Sequence, residues 1–317
     1  MTQKIDPKKR RNKKLITGSR WTIFFVFAGT CLLSFLFWLT PRLTSFRQQL
    51  TSPLVISSNN KTDDHLDLGP AKNPAVMIDQ FKKLTQDLAG SFSFVVWNLK
   101  DDSIYGLKQD KVMPAASLVK LPVMVAYFRQ VEAGKLSPLV GYTLASNDKV
   151  NGAGLLVNQP AGTIWTNDKL VNLMGKYSDN TAYNIIKQRV GPIAINQIIK
   201  DLKMEQTNLE EYETSPLDIA RLFKAVFDEG IINQDNRKKF FDSLTDTAFE
   251  ERIPSGIPEN IKVAHKVGTE VRTFSDAGII FADPPFILVI MSNNAAQDKT
   301  EKLMADFAAM VYEFETN

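Results

Sequence analysis

The 317-residue sequence predicts an α/β (α+β) fold of two subdomains behind an N-terminal transmembrane helix. One subdomain is an antiparallel sheet assembled from both ends of the globular part, and the other is an all-helical insert between those ends. Three observations carry this reading. Strand-like apolar stretches fall near residues 91–107 and again after residue 260, the region between them has helical periodicity, and residues 21–39 carry no charge.

The uncharged stretch WTIFFVFAGTCLLSFLFWL, from Trp21 to Leu39, reaches roughly 28 Å as a helix, close to a bilayer core of about 30 Å. Trp21 and Trp38 stand near its two ends, where amphipathic rings favour the interface. Residues 1–20 hold eight basic side chains against Asp6 alone, and only Arg42 and Arg47 follow closely, so the N-terminus is expected in the cytoplasm and the rest outside. A cleaved signal peptide fits less well. Its apolar region would be shorter, and Phe37-Trp38-Leu39-Thr40-Pro41 offers no small-residue cleavage site. Residues 40–73 have the composition of a polar linker.

Within the globular part, 74–317, Val76, Met77, Ile78, Phe81 and Leu84 predict a helix that stops near Gly90. SFSFVVWNL (91–99) and SIYGL (103–107) read as a hairpin about Asp101-Asp102. The stretch 117–250 contains PVMVAYFRQVEAG, NDKLVNLMGKYS, TAYNIIKQRVG, PIAINQIIKDL and SPLDIARLFKAVFDEG, all with helical patterning. Strands are predicted at 261–267, 273–282 and 285–292, and a last helix at about 296–315.

Composition removes several functions. The net charge of +3 divides into +7 over residues 1–20 and −4 over residues 40–317, so the globular part lacks the basic surface that nucleic acid requires. Two His and one Cys cannot fill the usual zinc ligand sets, and one Cys cannot form a disulfide within the chain. Gly134-Lys135 and Gly175-Lys176 are not followed by Ser or Thr, so no phosphate-binding loop is present, and no cofactor is expected.

The chemistry is sought among serines. With His65 in the linker and His265 the one remaining imidazole, a lysine is the alternative base. Ser and Lys three residues apart on a helix share a face, and a serine at a helix start has free N–H groups for an oxyanion. The pattern S-x-x-K occurs at Ser58–Lys61, Ser117–Lys120 and Ser146–Lys149, but only Ser117 opens a strongly apolar helix. Ser178-Asp179-Asn180 follows, with Ser178 61 residues after Ser117, and Lys266-Val267-Gly268-Thr269 begins 88 residues after Ser178. Each alone reads equally as a helix cap or a strand end. Their order and setting together point to one site.

With these motifs the sequence resembles the penicillin-recognising serine hydrolases, most closely the class A β-lactamases, over about residues 74–317. The resemblance implies a β-lactamase-like fold with the site between its two subdomains. It implies catalytic roles for Ser117 (acylated), Lys120 (accepting its proton) and Ser178 (passing a proton to the leaving nitrogen). Asn180, Lys266, Gly268 and Thr269 would bind substrate, with the backbone N–H groups of Ser117 and Thr269 forming the oxyanion hole. Gly152-Ala153-Gly154, Thr181-Ala182 and Thr214-Ser215-Pro216 match more loosely.

Two departures qualify the expected activity. Val267 stands where the family carries a hydroxyl that helps bind a substrate carboxylate, and losing such a bond costs about 1.5–3 kcal/mol. The segment before Thr214 is also too short for a full Ω-loop, which in class A enzymes carries the deacylating glutamate. Glu210, Glu211 and Glu213 stand nearby without a motif to single one out. The reading is therefore a membrane-anchored serine hydrolase whose deacylation is slow. Its partner would be a β-lactam or peptidoglycan-like small molecule, and its domain monomeric. A D,D-peptidase acting on peptidoglycan peptides and a catalytically silent wall- or protein-binding module are the alternatives.

Overall fold

In a computed structural model of the chain, residues 72–317 are described. The basic tail, the uncharged stretch 21–39, nearly all of the linker, His65 and the Ser58–Lys61 pair lie outside the described residues. No helix among the described residues is long and apolar enough to cross a membrane.

Helix α1 (Ala75–Thr85) turns Met77 and Phe81 inward and leads into the hairpin β1 (Ser91–Asn98) and β2 (Ile104–Leu107). The chain then runs through β3 (Met113–Pro114), a 3-10 turn (Ala116–Val119) and α2 (Lys120–Glu132). Next come a two-stranded ribbon, β4 (Gly141–Thr143) and β5 (Ile164–Thr166), and helices α3 (Asn167–Lys176), α4 (Asn180–Val190) and α5 (Pro192–Asp201). Strand β6 (Glu213–Thr214), α6 (Pro216–Phe227) and α7 (Gln234–Ser243) complete the middle. It ends with β7 (Val263–Glu270), β8 (Thr273–Ile280), β9 (Phe286–Asn293) and α8 (Gln297–Thr316).

The five-stranded sheet has the order β2-β1-β9-β8-β7 and is antiparallel throughout. Strand β1 pairs with β9 from Ser91↔Asn293 to Asn98↔Phe286, so the two ends of the globular part build one sheet, as the pattern predicts. Alternation along each strand gives the sheet two apolar faces. Phe92, Phe94, Val96, Leu288 and Ile290 face α1 and α8, where the Phe81, Phe94 and Phe307 rings meet at 4.5–4.7 Å. Val95, Ile287, Val289 and Met291 belong instead to the larger core shared with the helical subdomain. Burying each of these large side chains contributes roughly 1.5–3 kcal/mol.

Three details depart from the sequence reading. Helix α7 lies within the helical stretch 117–250 but has no segment pattern of its own, because Phe240 and Phe241 are its only large apolar residues. Ser117 sits in a 3-10 turn rather than in the first turn of an α-helix, which begins at Lys120. Pro122 falls in the first turn of that helix, where its missing N–H leaves no bond unmade. Strand β7 extends three residues past Val267, because its ladder with β8 continues to Glu270↔Thr273 and Gly268 continues the strand instead of ending it.

Candidate active site

The Ser117 turn is held from both sides. Before it, Met113 and Pro114 pair with Thr214 and Glu213, and the Ala115 N–H donates to the Tyr212 carbonyl at 2.7 Å. Ala116 adopts φ +46°, a conformation costly for an L-residue, immediately before Ser117. Beside it, β7 comes so close that a Cβ on Gly268 would stand 2.9 Å from the Ala115 carbonyl oxygen. Glycine is required there for the strand to lie against the turn.

Lys120 is buried, and its Nζ lies 2.7 Å from Ser117 Oγ, 2.8 Å from Asn180 Oδ1, 3.0 Å from the Ser178 carbonyl and 3.2 Å from Ser178 Oγ. Four acceptors surround an ammonium that has only three hydrogens. Burial lowers this lysine to a pKa of about 8, against the opposing pull of Asp179. A neutral amine at this place can accept the Ser117 hydroxyl proton.

Ser178, at φ +51°, presents its hydroxyl between two amines, with Lys266 Nζ 2.8 Å away on the other side. Lys266 also donates to the Val267 carbonyl at 3.0 Å. Complete burial, with Lys120 and Arg252 adding to it, holds Lys266 well below the ordinary lysine range, while Asp276 acts in the other direction. The motifs from three distant stretches thus meet around one oxygen-rich centre.

Asp179 caps α4, and the cap and motif readings are both satisfied. Its carboxylate accepts from the Ala182 N–H at 2.8 Å and from the Leu155 and Leu156 N–H groups at 2.6 and 2.9 Å. Asn180 donates from Nδ2 to the Asn151 carbonyl at 3.0 Å, leaving one amide hydrogen for another acceptor. Gly154, at φ +121°, must be glycine, since a Cβ there would lie 2.3 Å from Asp179 Cγ.

Ser117, Lys120, Asn180 and Thr269 line one cleft of about 330 Å³. Tyr183, Asn184, Tyr212 and Glu270 line it too, and none of these was anticipated, because no local pattern marks them. Arg252 was also missed. It is buried, donates to Thr269 Oγ1 at 2.8 Å and to the Ser275 and Gly268 carbonyls at 2.8 and 3.2 Å, and pairs with Glu301 at 3.1 Å. Val267 is buried and has no hydroxyl to offer, so Thr269, oriented by Arg252, is the polar side chain beside it.

The three glutamates near Thr214 do not reach this centre. Glu210 and Glu213 line a different groove with Asn196 and Lys200, Glu213 lies in β6, and the Glu210 and Glu211 N–H groups are tied to Asn208 Oδ1. The Ser146–Lys149 pair is likewise no match, since Lys149 leaves its short 3-10 turn in extended conformation.

The profile of the β-lactamase enzyme family matches residues 77–314. The chain belongs to that family. It is a serine hydrolase of the β-lactamase type, and its pairing of antiparallel sheet and helices is the fold of the class A β-lactamases. Among relatives, it is 24% identical over 254 residues to β-lactamase 3 of Bacillus cereus, covering 74% of this chain and 79% of that protein. The β-lactamase of Sphaerobacter thermophilus superposes with a TM-score of 0.73 at 24% identity, covering 76% and 98% of the two chains. A mutant of PBP-A, solved as an acyl-enzyme complex with penicillin G, superposes with a TM-score of 0.70 at 24% identity, covering 77% and 98%.

Proposed function

We propose that the protein is a membrane-anchored, outward-facing hydrolase that is acylated at Ser117 by β-lactams or related cell-wall amides and deacylates slowly. The observation that carries this is the 2.7 Å approach of the Lys120 amine to Ser117 Oγ, in a pocket whose burial lowers that amine to a pKa of about 8. Lys120 takes the hydroxyl proton as Oγ bonds to the substrate carbonyl carbon, and the oxyanion faces the N–H groups of Ser117 and Thr269. The carbonyl re-forms as the carbon–nitrogen bond breaks. The proton held by Lys120 passes through Ser178 Oγ to the departing nitrogen, and an ester at Ser117 remains. Lys266 keeps Ser178 oriented and favours a substrate carboxylate, and Arg252 holds the Thr269 hydroxyl.

Slow deacylation is supported by the cleft's acidic groups. Among the described residues, Glu270 is the one carboxylate that lines it, at the mouth, and it hydrogen-bonds neither Ser117 nor Lys120. Tyr212, rather than a glutamate, faces the cleft from the segment before Thr214.

The full chain in mild detergent, incubated with labelled benzylpenicillin, is expected to form a long-lived adduct, and Ser117→Ala none. Label on Ser117→Ala, or rapid cephalosporin turnover by the parent, would contradict the reading. The absent glutamate also favours a second reading, D,D-peptidase action, which predicts D-alanine release from a peptide ending in D-Ala-D-Ala. The anchor, supported by the uncharged stretch 21–39, predicts that the chain stays with membranes in alkaline carbonate.

A further inference from the structure

Resting on the acylation reading, we propose that Glu270 makes the site selective for dipolar acyl donors. Such a donor carries a carboxylate toward Lys266 and an ammonium group on the carbon beside its side-chain carbonyl, toward Glu270. Successive residues of β7 point to opposite faces. Ala264 belongs to the core shared with the helical subdomain and Val263 to the opposite one, so alternation puts Lys266, Gly268 and Glu270 on the face toward Ser117. Lys266 and Glu270 are four residues apart, about 13 Å along the strand. The strand therefore holds a buried amine against Ser178, behind the cleft, and a carboxylate at the cleft's mouth.

The cations that could neutralise Glu270 are engaged elsewhere. Arg272, two residues on, donates to the Asn294 carbonyl at 2.8 Å. Lys187 lies over the Tyr183 and Tyr212 rings, at 5.6 and 5.9 Å, on the opposite wall. Arg252, beyond β7, pairs with Glu301. Glu270 is exposed, and among the described residues it has no ion-pair partner. A free carboxylate beside a site that attracts anions repels a donor bearing negative charge at both ends, and Lys187 already places positive charge on the tyrosine wall. A substrate's ammonium is therefore drawn to the β7 side.

Three penicillins with one nucleus test this: benzylpenicillin, ampicillin (ammonium on the side-chain carbon) and carbenicillin (carboxylate there). Acylation rates of the full chain are measured at slightly acidic pH and low salt, where the amine is charged. Ampicillin is expected to react fastest and carbenicillin slowest. E270Q should shrink the ampicillin-to-carbenicillin ratio by about five- to tenfold, and E270K should invert the order. Added salt should shrink the ratio in the parent but not in E270Q. An unchanged ratio in E270Q would overturn the proposal. Calorimetric binding of the three compounds to Ser117→Ala must give the same ranking, and equal affinities there would overturn it as well. If no penicillin labels the parent, the acylation reading fails, while the calorimetric ranking still decides the role of Glu270.

Discussion

Lys120 ties one residue's environment to a measurable rate. Its amine must be neutral to accept the Ser117 proton, and burial brings its pKa to about 8. Acylation is therefore expected to rise with pH and level off above about pH 8, as followed by rapid-mixing kinetics with benzylpenicillin. Lys120→Arg, permanently charged, should lose at least about a thousandfold at all pH values. The Ser117–Lys120 pair was legible in the sequence because a three-residue spacing fixes the contact through local geometry alone. Choosing it over Ser146–Lys149 needed only the apolar helix that follows. Arg252 and Tyr212 were not legible. They reach the site through packing between segments far apart in sequence, and no local pattern encodes that.

The short segment between α5 and α6 shows what an element must supply when a long loop is missing. Asp218, the third residue of α6, is buried, and its Oδ2 accepts from the Gln206 N–H at 2.7 Å and the Thr207 hydroxyl at 2.9 Å. Its Oδ1 pairs with Arg221 at 3.0 Å. This one carboxylate fastens the segment that presents Tyr212, whose carbonyl in turn holds Ala115 next to the Ser117 turn. Asp218→Ala is expected to cost about 2–4 kcal/mol in urea unfolding, by stranding the donors it satisfies, and to slow acylation although it touches no substrate. The glycine in the Lys266–Gly268 box illustrates the limit of reading elements locally. It resembles a strand terminator, yet the ladder with β8 continues past it, because pairing with a neighbouring strand outweighs the local preference.

For the whole molecule, the sheet is the wall between two cores, and a buried polar clasp joins its edge to the segment that carries Arg252. His265 Nδ1 lies 2.8 Å from Asp276 Oδ1, and Nε2 lies 3.1 Å from Thr247 Oγ1 and 3.3 Å from Glu250 Oε1. Asp276 also accepts the Ile253 N–H at 3.0 Å, next to Arg252. Burial alone would depress this imidazole, but the Asp276 and Glu250 carboxylates outweigh it and hold the pKa at about 9. A pKa raised in the folded state stabilises fully below the unfolded value of about 6.5, and the gain disappears as pH rises to about 9. Stability is thus expected to fall by up to ~3 kcal/mol across that window, measured by denaturant midpoints, and His265→Asn should flatten the fall. Acylation rises where stability declines, so prolonged assays should peak near the middle of the window.

The sequence by itself determined the order of the main strands and helices, the joining of both ends of the globular part in one sheet, and the Ser117–Lys120 and Ser178–Asn180 units, because periodicity and short spacings act within a few residues. Only the tertiary structure decided that Lys266 reaches Ser178 at 2.8 Å, that Glu210, Glu211 and Glu213 stay away from Ser117, and that Arg252 comes to Thr269. Those relations depend on strand pairing and core packing between segments tens of residues apart. Such contacts form because the whole chain buries its apolar surface at once, and no single stretch of sequence specifies them.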